Sequence, residues 1–283
     1  MMPIYRSKLD SPLDANPTKY RGGGLSPLEA NPIKYRSREN SPDAAWAPPA
    51  GLWAWFKFNE GAGTAIIDYS PLATNGLIEH YNGTPATVGD LAYLWNNLAG
   101  FGSDTYVYAT ATRMTRITVV RNTTYCSLVA FIRPAGIGAI NAYTAIQLGV
   151  TGTANYLAVG WEDFSAPHYW CIGLPTATYF STTLAATYGT WYCLYAYSQK
   201  NTINTGLYVR ASGGAWQLAR SMDASGNVGN TQTTVRVFGQ QNNPHTMSVG
   251  DVLYYADSVP TGIITLAQAS DIYDNLKGRY GMS

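Results

Sequence analysis

From Gly51 onward the chain is a succession of short runs of aromatic and β-branched residues, separated by Gly, Asn and Pro. Examples are "LWAWFKF" (52–58), "TRITVV" (115–120), "CSLVAFI" (126–132), "NYLAVGW" (155–161), "HYWCIGL" (168–174), "WYCLYAYS" (191–198), "GLYVRAS" (206–212) and "TVRVFGQ" (234–240). Several alternate with period two: Trp191, Cys193, Tyr195 and Tyr197 fall on one face of a strand, Tyr192, Leu194, Ala196 and Ser198 on the other. Many strands with no helical spacing between them predict an all-β sandwich or barrel over residues 51–283. One helix is expected near the end. Thr265 caps it with Gln268 three residues on, Leu266, Ala269, Ile272, Tyr273 and Leu276 share a face, and Gly278 suits the stop. It is expected to seal the sandwich.

Residues 1–43 obey different rules. The first 50 residues hold 8 of the 15 prolines, and their few apolar residues follow neither helical nor strand periodicity. An extended, partly polyproline-like N-terminal arm follows from that composition, joined through a Pro-rich hinge, "AAWAPPA", at 44–50. "SPLDANPTKYR" (11–21) returns as "SPLEANPIKYR" (26–36). Tyr-Arg recurs at 5, 20 and 35 and Ser-Pro at 11, 26 and 41, so there are three copies with a period of 15. A linker has no physical reason to keep its side chains in phase, whereas a peptide that docks into equivalent pockets does. Extended at ~3.1 Å per residue, one period spans on the order of 45 Å, comparable to the separation of neighbouring subunits. The candidate contact residues are Tyr5, Arg6, Leu13, Asn16, Tyr20, Arg21, Leu28, Asn31, Tyr35 and Arg36, with Leu and Tyr as anchors and Arg as a charge-assisted clamp. Linked copies add avidity, because the second docking is intramolecular.

Charged residues make up 12% of the chain and the net charge is +1, so the basic footprint of a nucleic-acid binder is missing. Cys126, Cys171 and Cys193 have no zinc-type spacing and read as buried small hydrophobes. "MMPIYRSKLD" lacks the apolar core of a secretory signal, and no window has the length of a membrane span. Synthesis and folding in a cytosol, with no membrane partner, are the expectation.

Four segments in order carry a resemblance to a known family. "GLWAWFKFNEGAGTAIIDYSPLATNGLI" (51–78) runs from an apolar strand to Phe-Asn-Glu-Gly-Ala-Gly-Thr, then Asp-Tyr-Ser, then a Gly. "TYCSLVAFIRP" (124–134) is a strand ending in Arg-Pro. "YGTWYCLYAYS" followed by "GLYVRAS", and then "VGDVLYYADSVPTGIITLAQASDIY", complete the series. Together they resemble concanavalin A-like, laminin G-type jelly-roll domains over about residues 51–280. The resemblance implies a jelly-roll β-sandwich with a closing helix. In its opening segment Gly61 and Gly63 permit turn dihedrals, and Asp68 can accept backbone donors of the following turn. Some relatives bind calcium or sugar on edge loops, which makes Asp68 and Asn75 conceivable ligands. No acidic cluster accompanies them, and neither a metal nor a cofactor is expected.

Glycoside hydrolysis needs two carboxylates across the scissile bond. No alternating acidic pattern occurs; Glu162 and Asp163 are adjacent and would point to opposite strand faces. His80, His168 and His245 lack paired spacing, and no Gly-x-Ser-x-Gly is present, so an enzyme is not expected. For sugar binding the candidates are Trp161, His168, Tyr169 and Trp170, within "GWEDFSAPHYW". The same aromatics equally suit a sandwich core or a subunit interface, which is the heavier expectation.

The arm, the absent export signal and the lectin-like head point by analogy to a structural component of a large assembly. The expected role is a bacteriophage virion decoration, fibre or tail-associated protein, made in the host cytoplasm and located in the virion. Residues 1–43 would hold capsid or tail proteins, the head could meet host surface glycans, and a homo-oligomer is expected. The alternative is a free carbohydrate-binding module.

Overall fold

The structure is a computed structural model. It describes residues 46–57, 65–73, 75–80, 95–96, 100–101, 113–121, 125–134, 146–149, 156–161, 166–174, 178–199, 204–222, 232–237, 239–240, 243–244, 247–257 and 259–283. The chain divides into two compact units, Met1–Ala47 and Pro48–Ser283. The ten candidate contact residues of the arm lie outside the described residues, as do Gly61, Gly63, Glu162, Asp163 and His245.

The strands are β1 (Leu52–Phe56), β2 (Ala65–Ile66), β3 (Gly76–His80), β4 (Trp95–Asn96), β5 (Gly100–Phe101) and β6 (Arg113–Arg121). β7 (Tyr125–Pro134), β8 (Ile146–Gly149), β9 (Tyr156–Trp161), β10 (Tyr169–Leu174), β11 (Thr178–Ala185) and β12 (Tyr192–Gln199) follow. The last are β13 (Thr205–Ala211), β14 (Gln217–Met222), β15 (Gln232–Val237), β16 (Gly239–Gln240), β17 (Asn243–Pro244) and β18 (Met247–Asp257). One sheet runs β14-β13-β12-β7-β18-β5-β4, with β1 also paired to β18. The other runs β11-β10-β9-β8-β15-β6-β3-β2, and β16 pairs only with β17. All named pairings are antiparallel, as the expected sandwich requires. The first strand of the sandwich, β1, therefore lies beside its last, β18.

Alternation sorts the side chains. Leu128, Ala130 and Ile132 of β7 and Tyr192, Leu194 and Ala196 of β12 face inward, where they meet Leu157, Val159, Trp161, Trp170 and Ile172 of the second sheet in one core. The other residues of these strands make the outer face, and there the chain's end packs. The helix α1 (Leu266–Leu276) begins with the expected reciprocal cap: Gln268 N donates to Thr265 Oγ1 at 3.2 Å, and Thr265 N donates to Gln268 Oε1 at 2.8 Å. Ala269, Ile272, Tyr273 and Leu276 are buried, while Leu266 is only half-buried. The α-helix ends at Leu276 with Lys277 as its cap, directly before Gly278; a 3-10 turn over Lys277–Tyr280 carries the chain further, and Gly281, with φ 63°, takes the left-handed position. The helix thus covers one sheet from outside; Tyr273 and Tyr280 stack on Phe131 at 6.3 and 4.6 Å between centroids.

A bulge in β18 anchors this layer. The β18–β7 register shifts between Val249 and Val252, which accommodates Gly250 and Asp251. The Tyr280 ring lies against Gly250, where a Cβ would come within 2.3 Å of it. Asp251 is completely buried, and its carboxylate accepts from Trp55 Nε1 at 2.7 Å, from Arg279 Nη1 at 2.5 Å and from the Tyr280 hydroxyl. Strand β1, the bulge and the chain's end therefore converge on one carboxylate.

Candidate functional site

The chain's end covers the outer sheet face only in part. Ser127 Oγ donates to Gly262 O at 3.1 Å and accepts from Ile264 N at 3.2 Å, and the Tyr195 hydroxyl donates to Ile264 O. Beyond this line the aromatic residues of β12 and β13 continue without a covering element among the described residues. Alternation places Tyr195 and Tyr197 outward on β12, as their spacing predicts, and Tyr208 outward on β13. Register sets Tyr195 opposite Tyr208, and Tyr208 opposite Leu218 of β14.

The three tyrosines form a near-parallel group. Tyr195–Tyr197, Tyr195–Tyr208 and Tyr197–Tyr208 have centroids 5.5, 6.0 and 6.4 Å apart, with interplanar angles of 30°, 22° and 28°. Tyr195 is buried, Tyr197 and Tyr208 are half-buried, and Leu218 is 50% exposed. A glycine permits this packing. Gly206 pairs with Tyr197, and a Cβ there would lie 2.7–2.8 Å from the Tyr197 ring and hydroxyl. Trp216 forms a wall: it stands edge-on to Tyr195 at 6.5 Å and to Tyr273 at 6.3 Å, and its Nε1 donates to Ser270 Oγ at 2.8 Å. At the far end Asn204 Nδ2 donates to Gln199 Oε1 at 3.3 Å. Among the described residues, nothing hydrogen-bonds the Tyr197 or Tyr208 hydroxyls.

Burial first, and then the neighbouring phenols, push the Tyr195 and Tyr197 hydroxyls above the ordinary tyrosine range. Burial, and then the Asp251 charge, does the same to Tyr280. A folded-state pKa raised above the unfolded one stabilises the fold fully below the unfolded value, and that stability is lost as pH rises through the folded value. Unfolding midpoints are therefore expected to fall as pH rises above about 10, and to fall less steeply in Tyr195→Phe, which lacks one of the shifted hydroxyls. Identical pH dependence of the parent and Tyr195→Phe above about pH 10 would refute this.

The residues singled out for sugar binding do not form a surface shelf. Trp161 and Trp170 are both 0% exposed and meet edge-on at 5.9 Å inside the sandwich. They pair across β9 and β10 at inward positions, so strand alternation drives both into the core. His168 is half-buried and stacks on Tyr188 at 4.7 Å; Tyr169 is half-buried opposite Ala185. Trp170 also lines a shallow cleft of about 190 Å³ with Leu184, Tyr192, Val209 and Gln217, smaller than the ~300–1,000 Å³ of sites that enclose a drug-sized ligand.

Asp68 is a structural carboxylate. Oδ1 accepts from Trp55 N and Ser70 N, both at 2.9 Å, and Oδ2 from Ser70 Oγ at 2.9 Å. Asn75 Oδ1 accepts from Asp68 N at 3.0 Å. These bonds clamp the turn to β1 and use the oxygens that a calcium ion would need. Among the described residues no group of three His, Cys, Asp or Glu side chains could hold a metal. Cys126, Cys171 and Cys193 are buried and form no disulfide.

Tyr208, Trp216, Leu218 and Gly206 were not singled out from the sequence. The outward face of β12 was legible, but which residues of β13 and β14 extend it depends on register, and Trp216 precedes a strand with little β-branched content.

No known protein family matches the chain, and no curated protein matches it. Solved structures do. Domain 4 of AbnA, a GH43 extracellular arabinanase from Geobacillus stearothermophilus in complex with arabinotriose, is similar with a TM-score of 0.51 and 13% identity, over 78% of this chain and 97% of that one. A GH54 α-L-arabinofuranosidase mutant gives 0.52 and 10%, over 76% and 50%. Trypanosoma rangeli sialidase in complex with sialic acid gives 0.50 and 12%, over 89% and 39%. The chain thus spans half of the arabinofuranosidase chain and less of the sialidase chain. At these identities the likeness establishes the fold, a two-sheet antiparallel β-sandwich with one short C-terminal helix.

Proposed function

We propose that residues 48–283 are a carbohydrate-binding β-sandwich without catalytic activity, and that the repeat arm attaches it to a large assembly. The observation that carries the first part is the half-exposed pair Tyr197 and Tyr208, near-parallel on the outer sheet face beside the Trp216 wall. Aromatic faces with phenol hydroxyls at hand offer a sugar both its apolar contact and hydrogen bonds. The arabinotriose complex of a similar fold lends support. The floor is built from tyrosine and leucine, and hydrolysis would need two carboxylates flanking the bond. Binding is therefore the chemistry this surface supports.

Attachment rests on the sequence. Three phased copies of Ser-Pro and Tyr-Arg call for a partner with repeated pockets, which a capsid or tail lattice supplies. A phage virion decoration or appendage protein that displays a glycan-binding head combines both parts.

The test is a glycan array with the full chain and with Tyr208→Ala. Binding is expected, with a loss of about tenfold or more on removing one stacking ring. A folded parent that binds no glycan would overturn the carbohydrate reading. For attachment, deletion of residues 1–43 should abolish association with the particle; unchanged association would refute it.

A further inference from the structure

We propose that copies of this chain join head to tail, the Ser70–Ala73 turn of one copy inserting Leu72 into the apolar cleft between the sheets of the next. The contact is separate from carbohydrate binding and does not depend on what the repeat arm holds.

Ser-Pro-Leu occurs at 11–13, 26–28 and 70–72, each time with an asparagine three positions after the leucine, at Asn16, Asn31 and Asn75. The last of these copies lies on the head. There Ala73 N donates to Ser70 O at 3.1 Å and Leu72 N to Ser70 Oγ at 3.3 Å, which closes a turn with Pro71 in its second position. The turn is fixed to β1: Tyr69 N donates to Trp55 O at 2.8 Å, and Asp68 Oδ1 accepts from both Trp55 N and Ser70 N. Asn75 holds Asp68 from the other side. Serine, proline and asparagine thus each build the turn. The leucine does not: most residues can fill that position, and Leu72 is 53% exposed. A recurring leucine that the fold does not require, held out on a fixed turn, is a contact residue of the kind expected in the arm.

The cleft supplies what a leucine needs. Its walls come from both sheets, Trp170 of β10 and Leu184 of β11 on one side, Tyr192 of β12 and Val209 and Ala211 of β13 on the other. These side chains belong to the core or pack against it, so the cleft is where the interior of the sandwich opens to the surface. Its volume is about 190 Å³. A cavity of about 150 Å³ with apolar walls takes up benzene, which is larger than a leucine side chain.

The contact has to run between copies. Strands β1, β18, β7, β12 and β13 are successive neighbours in one sheet, so the turn on β1 and the cleft are four strand spacings apart. At about 4.8 Å each that is on the order of 19 Å across a rigid sheet, and no chain can fill its own cleft. Turn and cleft are different surfaces, which makes the contact heterologous. Each copy gives a leucine to one neighbour and takes one from another, building rings or open chains. One side chain holds weakly, and an array adds avidity.

The test uses the full chain, in which Cys126, Cys171 and Cys193 are buried. Ala73→Cys puts a thiol beside Leu72, and Ala215→Cys puts one on the exposed rim of the cleft. Mixed under mild oxidation, these two variants should form a disulfide-linked dimer at least about tenfold faster than Ala73→Cys mixed with Asn204→Cys, exposed beside the far end of β13. Adding Leu72→Asp to the Ala73→Cys chain should remove that advantage. Sedimentation at rising concentration needs no new thiol. It should show association of the parent and of the double variant Leu13→Asp/Leu28→Asp, and its loss in Leu72→Asp. Trapping that survives Leu72→Asp, or equal trapping at Asn204→Cys, would overturn the proposal. So would a parent that stays monomeric at about 1 mM without preferred trapping. Association lost in Leu13→Asp/Leu28→Asp but kept in Leu72→Asp would assign the contact to the arm and overturn the role of Leu72.

Discussion

Asp251→Ala is expected to lower the unfolding free energy by about 3–5 kcal/mol, read as a fall in the urea midpoint, because it takes a buried acceptor from three donors at once. The carboxylate is the shared acceptor for Trp55 Nε1, Arg279 Nη1 and the Tyr280 hydroxyl, and it is completely buried. Its removal takes this acceptor from the buried Tyr280 hydroxyl and Trp55 indole and from the part-buried Arg279 guanidinium. The double variant Asp251→Ala with Arg279→Met separates the two contributions. Taking away the charge along with its partner should recover part of the loss. The effect should also reach beyond the bulge, since Tyr280 stacks on Phe131 and contacts Trp191 at 4.7 Å, so the covering layer over the outer face should loosen. A single-variant loss below about 1 kcal/mol would mean that the carboxylate is not the anchor of that layer.

Trp170→Ala should cost a similar amount, about 3–5 kcal/mol, by a different route. Trp170 is 0% exposed and meets Trp161 and Tyr192 edge-on at 5.9 and 5.0 Å. Its removal opens a cavity that two rigid sheets cannot close. The partner measurement is glycan affinity of the folded protein, which should be unchanged, because Trp170 lies in the core on one sheet and the platform on the outer face of the other. Tyr208→Ala should show the reverse pattern, a large loss of affinity and a small loss of stability. If Trp170→Ala were as stable as its parent and had lost binding, the sugar site would belong with "GWEDFSAPHYW" and not with the tyrosines.

The alternation of "WYCLYAYS" already separates Tyr195 and Tyr197 from Tyr192, Leu194 and Ala196, since side chains on a strand change face at every residue. The same rule holds for Trp161 and Trp170, but it does not say which face is the inner one. A tryptophan suits a sugar shelf as well as a core, the heavier expectation, and here the pairing of β9 with β10 beneath the facing sheet puts both tryptophans in the core. The helix was legible because a capping box and an apolar stripe are local patterns. Its end, next to Gly278, was legible too, but the 3-10 turn beyond it and the left-handed Gly281 were not, because they depend on packing. Edge strands β11 and β14 escaped notice: "QLARSM" has no β-branched residue, and its extended form comes from pairing with β13.

The sequence by itself determined the all-β class, the two faces of the central strands, the capped helix and the phase of the arm repeats. Each of these is written in residue spacing, which acts over a few positions. Only the tertiary structure decided that Gly206 lies under the Tyr197 ring, that Tyr208 and Leu218 extend the same face, and that, among the described residues, the chain's end reaches Tyr195. These depend on strand register and on how far one layer overlaps another. Such relations are set by the balance of many distant contacts, and no single stretch of sequence encodes them.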